Sequence, residues 1–210
     1  MNWNWTEEKV KRWMQPAIEI PYLAERWKGC GFKQFLDSGC GPGRHALYFA
    51  ENDFHVTAFD QSEEALSTLE KVSAERNLHP KIIQGDIFHM PFEDNSFDCL
   101  LDYNVSYHTN TEGYFEALRE LRRVLRPGGE AYLTLLSQND PGFLSAKEDE
   151  HMDCYTLIHA GGTPHFYASR DHLKEIFTGF EFAIPVREIK SAGLDSGKES
   201  IHFHLLLRKL

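Results

Sequence analysis

Apolar positions along this chain switch repeatedly between a two-residue rhythm and a helical one, and that switching predicts the architecture. Short apolar runs at Phe32–Asp37, His55–Asp60, Pro80–Gly85, Phe97–Asp102 and Ala131–Leu136 read as strands. Between them lie helical patterns: one after Pro42 carrying Ala46, Leu47, Phe49 and Ala50, one capped by Ser62 and reaching about Arg76, and one from about Thr111 to Arg126. Pro127-Gly128-Gly129 is expected to stop the third helix. Regular strand–helix alternation argues for an α/β fold with a doubly wound, mostly parallel sheet. Two helices precede it. Thr6 can cap the first, which Pro16 ends, and Pro21 opens a second that Gly29 closes.

After Ser137 the rhythm breaks. The segment from Gln138 to about Pro164 is polar and histidine-rich, with a short apolar piece at Tyr155–Ile158. Ser169 is then placed to cap a helix to about Phe177, and Phe180–Ile189 and Ser200–Arg208 read as two final strands. A direct connection between neighbouring strands makes them antiparallel, so this side of the sheet is expected to be mixed. The division is a helical cap over 1–31 and one domain over 32–210, with a substrate-side insertion at about 138–165.

Composition narrows the function. Among 210 residues, acidic side chains outnumber Lys plus Arg by 32 to 22, and a net charge of −10 disfavours a general nucleic-acid binder. No apolar stretch is long enough for a membrane span, and the N-terminus lacks the basic start and apolar run of a signal peptide. A cytoplasmic protein, monomeric or homodimeric, is expected. Cys30, Cys40, Cys99 and Cys154 are far apart, so each is expected to be a buried small hydrophobe in a reducing compartment. The eleven histidines give no ligand set with metal spacing, and none of these residues is assigned to a metal.

The chemistry concentrates after the first strand. Asp37-Ser38-Gly39-Cys40-Gly41-Pro42-Gly43 is a glycine-rich turn where open α/β sheets bind ligands. Arg44 occupies the position of the third glycine in a dinucleotide fingerprint. Asp60 ends the second strand seventeen positions after Gly43, where a carboxylate can accept bonds from vicinal ribose hydroxyls or cap the next helix. Asp86, in Gly85-Asp86-Ile87, follows the third strand and can accept a bond from an adenine amino group, or simply shape a turn.

In that order and spacing, and with Pro91–Asp98 and Leu121–Gly129, these pieces resemble the class I S-adenosylmethionine-dependent methyltransferases, of the small-molecule kind, over about Phe32 to Leu210. The resemblance implies a seven-stranded sheet with helices on both faces and an antiparallel last strand. It implies S-adenosyl-L-methionine as cofactor and a small-molecule methyl acceptor as partner, with no role for nucleic acid or membrane. Carried over, Gly39 and Gly41 would lie against the methionyl and ribose parts, and Asp37 would help hold the ammonium group. Asp60 would bind the ribose hydroxyls, with Gln61 beside the adenine. Asp86 and Ile87 would read and flank the adenine, and Asp102 and Tyr103 would approach the methionyl end. Arg44 would face the cofactor carboxylate or pair on its helix surface.

Methyl transfer needs alignment and exclusion of water more than an obligatory catalytic residue. Tyr107 and His108, just beyond the fourth strand, are the catalytic candidates: a ring face near the sulfonium and an imidazole with a suitable intrinsic pKa. His165, Phe166 and Tyr167 can enter from another side or form a strand on the rim. His202 and His204 would share one strand face. Trp3, Trp5, Trp13 and Trp27 all precede the sheet and read as core or docking residues. The other readings are a nicotinamide-dependent oxidoreductase, which Arg44 disfavours, and a non-catalytic protein that binds the same cofactor.

Overall fold

The structure, a computed structural model, describes residues 13–159, 162–192 and 199–210. The helix expected to begin at Thr6, and with it Trp3 and Trp5, lies outside these residues. The chain runs α1 (Ile20–Gly29), β1 (Gln34–Ser38), α2 (Arg44–Glu51), β2 (His55–Asp60), α3 (Glu63–Glu75), β3 (Lys81–Gln84), β4 (Phe97–Asp102), α4 (Thr111–Val124) and β5 (Leu125–Ser137). It continues through α5 (Pro141–Leu144), β6 (Thr156–Ile158), β7 (Pro164–Ala168), α6 (Leu173–Ile176), β8 (Phe180–Phe182), β9 (Arg187–Ala192) and β10 (Glu199–Lys209). Among the described residues, no helix is long and apolar enough to cross a membrane.

Seven strands, in the order β3-β2-β1-β4-β5-β10-β8, form the central path of the sheet. The pairs among β1 to β5 are parallel, and β10 is antiparallel to β5, β8 and β9. The expected antiparallel last strand is present, but the sheet has ten strands among the described residues, not seven: β6, β7 and β9 attach off the central path. Both faces are buried because neighbouring positions alternate between two cores. Leu36, Leu100, Leu133 and Leu205 face one, with Leu118 and Leu121 of α4. Phe35, Leu101, Tyr132 and Leu206 face the other, with Trp27 of α1, Phe49 of α2 and Leu69 of α3.

Several boundaries differ from the sequence reading. The third helix stops at Val124, and β5 already begins at Leu125, which pairs with Phe97 before the register shifts. Pro127-Gly128-Gly129 lies in that irregular entrance to the strand. A Cβ at Gly129 would stand 2.7 Å from the Asp98 carbonyl oxygen. The segment Phe180–Ile189 splits into β8 and β9, with Pro185, which has no N–H to donate, between them. The insertion is more ordered than its composition implies: β6 and β7 form an antiparallel pair, and β7 adds in parallel to the end of β5. The helix expected after Ser169 is a 3₁₀ turn, Arg170–His172, followed by α6. Burial of the cysteines holds for Cys40 and Cys99 but not for Cys30 and Cys154, which are exposed on surface turns.

One buried carboxylate ties the N-terminal helix to the sheet. Glu130 is fully buried in β5 and accepts from Arg26 Nε and Nη2 at 2.8 and 2.7 Å, Trp27 Nε1 at 3.1 Å and Arg208 Nη2 at 2.9 Å. Burial by itself would raise its pKa, but the two guanidiniums hold it below the ordinary carboxylate range. Glu130→Ala strands two cations and an indole N–H at this junction. A loss of about 3 kcal/mol is expected, measured by chemical denaturation, because breaking a buried pair leaves its partners uncompensated.

Candidate active site

The C-terminal ends of β1, β2, β3 and β4 meet at one edge of the sheet, and the turn from β1 to α2 is the part most constrained there. Gly39 and Cys40 donate their N–H groups to the Phe59 carbonyl at 2.7 and 3.0 Å, folding the turn back on β2. Gly39, Gly41 and Gly43 all have positive φ, at 67°, 53° and 91°, a region that other residues reach only with strain. Two of them are also confined sterically. A Cβ at Gly39 would come within 2.4 Å of the Val105 methyls, and one at Gly43 within 2.2 Å of Leu69.

Asp60 completes the turn. One carboxylate oxygen accepts the Gly41 N–H and the other the Ser62 N–H, both at 2.8 Å. Ser62, not Asp60, caps α3, accepting from the Ala65 N–H at 3.3 Å. The capping alternative for Asp60 thus gives way to a different structural duty, bracing the glycine loop, and the half-exposed carboxylate keeps lone pairs on its open side. Asp86 is exposed, and its Oδ1 accepts the Phe88 N–H at 3.0 Å. Gly85 is glycine because the Phe59 ring occupies the space of its Cβ, at 2.6 Å.

These groups surround a cavity of about 260 Å³. Gly39, Gly41, Arg44, Asp60, Gln61, Asp86, Ile87, Tyr103, Tyr107 and His108, scattered in sequence, all line it. Asp37 and Asp102 do not. They lie at the ends of β1 and β4, 2% and 0% exposed, and burial pushes both carboxyls up to about 7. Asp102 Oδ2 accepts from the Ser106 hydroxyl, while Asp102 Oδ1 and Asp37 Oδ2 have no partner.

Several neighbours were not legible in the sequence. Trp13 stacks its ring under the Arg44 guanidinium at 4.8 Å, with Tyr103 on that group at 5.2 Å. His45 is buried, and its Nε2 accepts the Ala17 N–H at 3.3 Å. Asn104 adopts positive φ, at 61°, so that its N–H donates to Thr134 Oγ1 at 2.7 Å. An asparagine just past a strand was the available signal, since Asn tolerates this region.

The histidines form a network behind the cavity wall. His108 Nδ1 meets His165 Nε2 at 2.7 Å, and its Nε2 donates to the Asn104 carbonyl at 3.1 Å. The Tyr107 hydroxyl bonds His202 Nε2 at 3.1 Å, and Tyr132 bonds His204 Nδ1 at 2.7 Å. His202 and His204 do share a face of β10, which buries them. Burial, reinforced by the mutual repulsion the imidazoles would feel if charged and at His204 by Arg187, holds His108 at about 3 and His165, His202 and His204 at about 4.

Comparison with known proteins accords with this geometry. A family profile described as a methyltransferase domain matches residues 35–129, from the middle of β1 to the entrance of β5. Over those residues, a little under half of the chain, the protein is similar to methyltransferase domains. It is 36% identical over 114 residues to a demethylmenaquinone methyltransferase of Listeria monocytogenes, covering 51% of this chain and 47% of that one. It is 35% identical over 129 residues to a malonyl-[acyl-carrier protein] O-methyltransferase of Erwinia billingiae, covering 61% and 47%. The match therefore spans about half the length of these curated relatives. The crystal structure of an S-adenosylmethionine-dependent methyltransferase of Methanosarcina mazei shares the fold, with a TM-score of 0.70 at 21% identity over 84% of this chain and 92% of the other. In open α/β sheets generally, ligands bind outside the carboxyl ends of the strands, the edge that carries this cavity.

Two expectations follow. Asp60→Ala removes the brace of the loop, so it should lower both the melting temperature and the affinity for a ribose-bearing ligand. Two charge-assisted bonds correspond to a weakening of about ten-fold or more. Asp60→Asn can replace only one of the two backbone contacts, because its amide nitrogen faces a donor, and is expected to fall between; calorimetry on both variants measures it. The second concerns acid. The fold holds His108, His165, His202 and His204 neutral, with pKa values far below their ordinary value near about 6.5. Their contribution is complete above that value and is lost as pH falls through about 4, so thermal melts should show progressive destabilisation over this interval.

Proposed function

We propose that the protein is an enzyme that transfers the methyl group of S-adenosylmethionine to a small-molecule acceptor by in-line displacement. The observation that carries this reading is the single cavity that gathers the glycine turn, Asp60 and Asp86 at the ends of three adjacent strands. The site fits the cofactor's chemistry in two further ways. The glycine cradle at Gly39 has no room for a side chain, so backbone alone borders the ligand there. Asp37 Oδ2, buried without a partner at the base of the turn, suits an ammonium group.

In this reading Asp60 holds the ribose hydroxyls while bracing Gly41, and Gln61 lies beside the adenine. Asp86 accepts from the adenine amino group and Ile87 packs on its ring. Gly39 and Gly41 border the ribose and methionyl parts, and Asp102 and Tyr103 end the strand at the methionyl side. Arg44, its charge buried between Trp13 and Tyr103, serves the carboxylate. S-adenosylmethionine supplies a methyl group on a sulfonium, whose thioether departs readily. The chain contributes alignment, in a cavity walled by Val105, Tyr103 and Tyr107. The relatives' names, demethylmenaquinone and malonyl-[acyl-carrier protein] methyltransferase, support an organic acceptor of low mass or on a carrier.

Calorimetric titration with S-adenosylmethionine and S-adenosylhomocysteine is expected to show binding of both; no heat with either, from folded protein, would falsify the reading. Arg44→Met isolates the carboxylate contact. It should weaken S-adenosylhomocysteine about ten-fold, as loss of a charged hydrogen bond does, and leave methylthioadenosine, which has no carboxylate, unchanged.

A further inference from the structure

Trp13 precedes the methyltransferase-like stretch 35–129, yet it stands on the cavity wall beside Arg44. Arg44 occupies an unfavourable place for a cation. It is the first residue of α2, where the free N–H groups of the helix end carry partial positive charge. It is half-buried, and burial draws its guanidinium below the ordinary value. Among the described residues no carboxylate forms a hydrogen bond or ion pair with it. A long side chain in that position, with many rotamers open to it, gains by turning its head to solvent. Two rings oppose this. Trp13 and Tyr103 lie 4.8 and 5.2 Å from its Cζ, and cation–π attraction to their faces strengthens as water is removed.

The two rings are held differently. Tyr103 follows β4 directly and packs against three other rings: edge-on to His45 at 5.2 Å and His204 at 6.1 Å, and stacked on Tyr132 at 6.5 Å. Trp13 depends on the segment that carries it. Further along that segment the Ala17 N–H donates to His45 Nε2 at 3.3 Å, and the Ala17 carbonyl accepts the Ile20 N–H at 3.0 Å where α1 begins. Burial keeps His45 neutral, well below its ordinary pKa, so the lone pair for that bond is present at neutral pH. Arg44 and His45 are adjacent in α2. One turn of helix therefore fastens the segment through its histidine and meets the tryptophan of that segment through its arginine.

We infer, resting on the methyl-transfer reading above, that Trp13 is a positioning residue for the cofactor: it holds the Arg44 guanidinium in the cavity, ready for the carboxylate of S-adenosylmethionine, and so makes the segment before α1 part of the cofactor site. Without the ring the guanidinium keeps its charge but spreads over several rotamers, and part of the binding energy goes to collecting them again. That loss falls on the carboxylate alone, because the adenine, the ribose and the ammonium group meet other residues.

The test is calorimetry on the full chain with S-adenosylhomocysteine and with two probes that have no carboxylate: decarboxylated S-adenosylmethionine, which keeps the ammonium, and methylthioadenosine, which ends at the sulfur. Trp13→Ala should weaken S-adenosylhomocysteine about five-fold, the scale of a partly desolvated cation–π contact, and leave both carboxylate-free probes unchanged. Trp13→Leu covers the same surface without a π face and should match it, and it supplies the answer if Trp13→Ala fails to fold. Trp13→Phe should keep most of the affinity. In an Arg44→Met background Trp13→Ala should cost nothing further, since a residue that acts through the arginine has nothing left to hold. Additive losses in the double variant, an equal loss for the carboxylate-free probes, full affinity in Trp13→Leu, or Trp13→Phe no better than Trp13→Leu would overturn the inference. If the native protein binds S-adenosylhomocysteine and a variant gives one of these results, only this inference fails. If the folded native protein does not bind it, the methyl-transfer reading fails and takes the inference with it.

Discussion

The turn between β1 and α2 can hold three left-handed glycines only because β2 ends beside it. The Phe59 carbonyl takes two of its N–H groups, and the Asp60 carboxylate takes a third while reaching Ser62 with its other oxygen. A loop with so little side-chain packing would otherwise stay mobile, since glycine loses the most conformational freedom on ordering. One strand end thus fixes the turn, presents a carboxylate to the cavity and starts α3. The geometry of every other residue around the cavity is referred to that point.

Strand order carries this outward. Parallel pairing sets the ends of β1, β2, β3 and β4 side by side, so their following loops share one edge. The buried Glu130 performs the equivalent task at the far end of β5, collecting Arg26, Trp27 and Arg208 from the N-terminal helix and the last strand. Its four bonds to donors explain why a carboxylate with no exposed surface remains ionised, whereas Asp37 and Asp102, with fewer partners, are pushed toward neutrality.

The polar wall beyond β4 follows a different logic. His108, His165, His202 and His204 are kept neutral by burial, and each is held by a tyrosine, a carbonyl or another imidazole. Groups satisfied this way rigidify the surface they form. They join the insertion and the antiparallel β10 to the cavity wall.

The sequence by itself determined the features that depend on near neighbours. The period of its apolar residues fixed the alternation of strands and helices, and Gly39, Gly41 and Gly43 marked a turn that only glycine can form. Asp60 and Asp86 could be placed at strand ends, and hence at the ligand edge. The tertiary structure decided what depends on distant partners. Whether Asp37 and Asp102 line the cavity or lie beneath it is a matter of which chain covers them, and nothing adjacent in sequence records that. His108 meets an imidazole 57 positions away, and Tyr107 is tied to one 95 positions away. Polar contacts need both groups side by side, and which groups meet is decided only once the strands have been brought together.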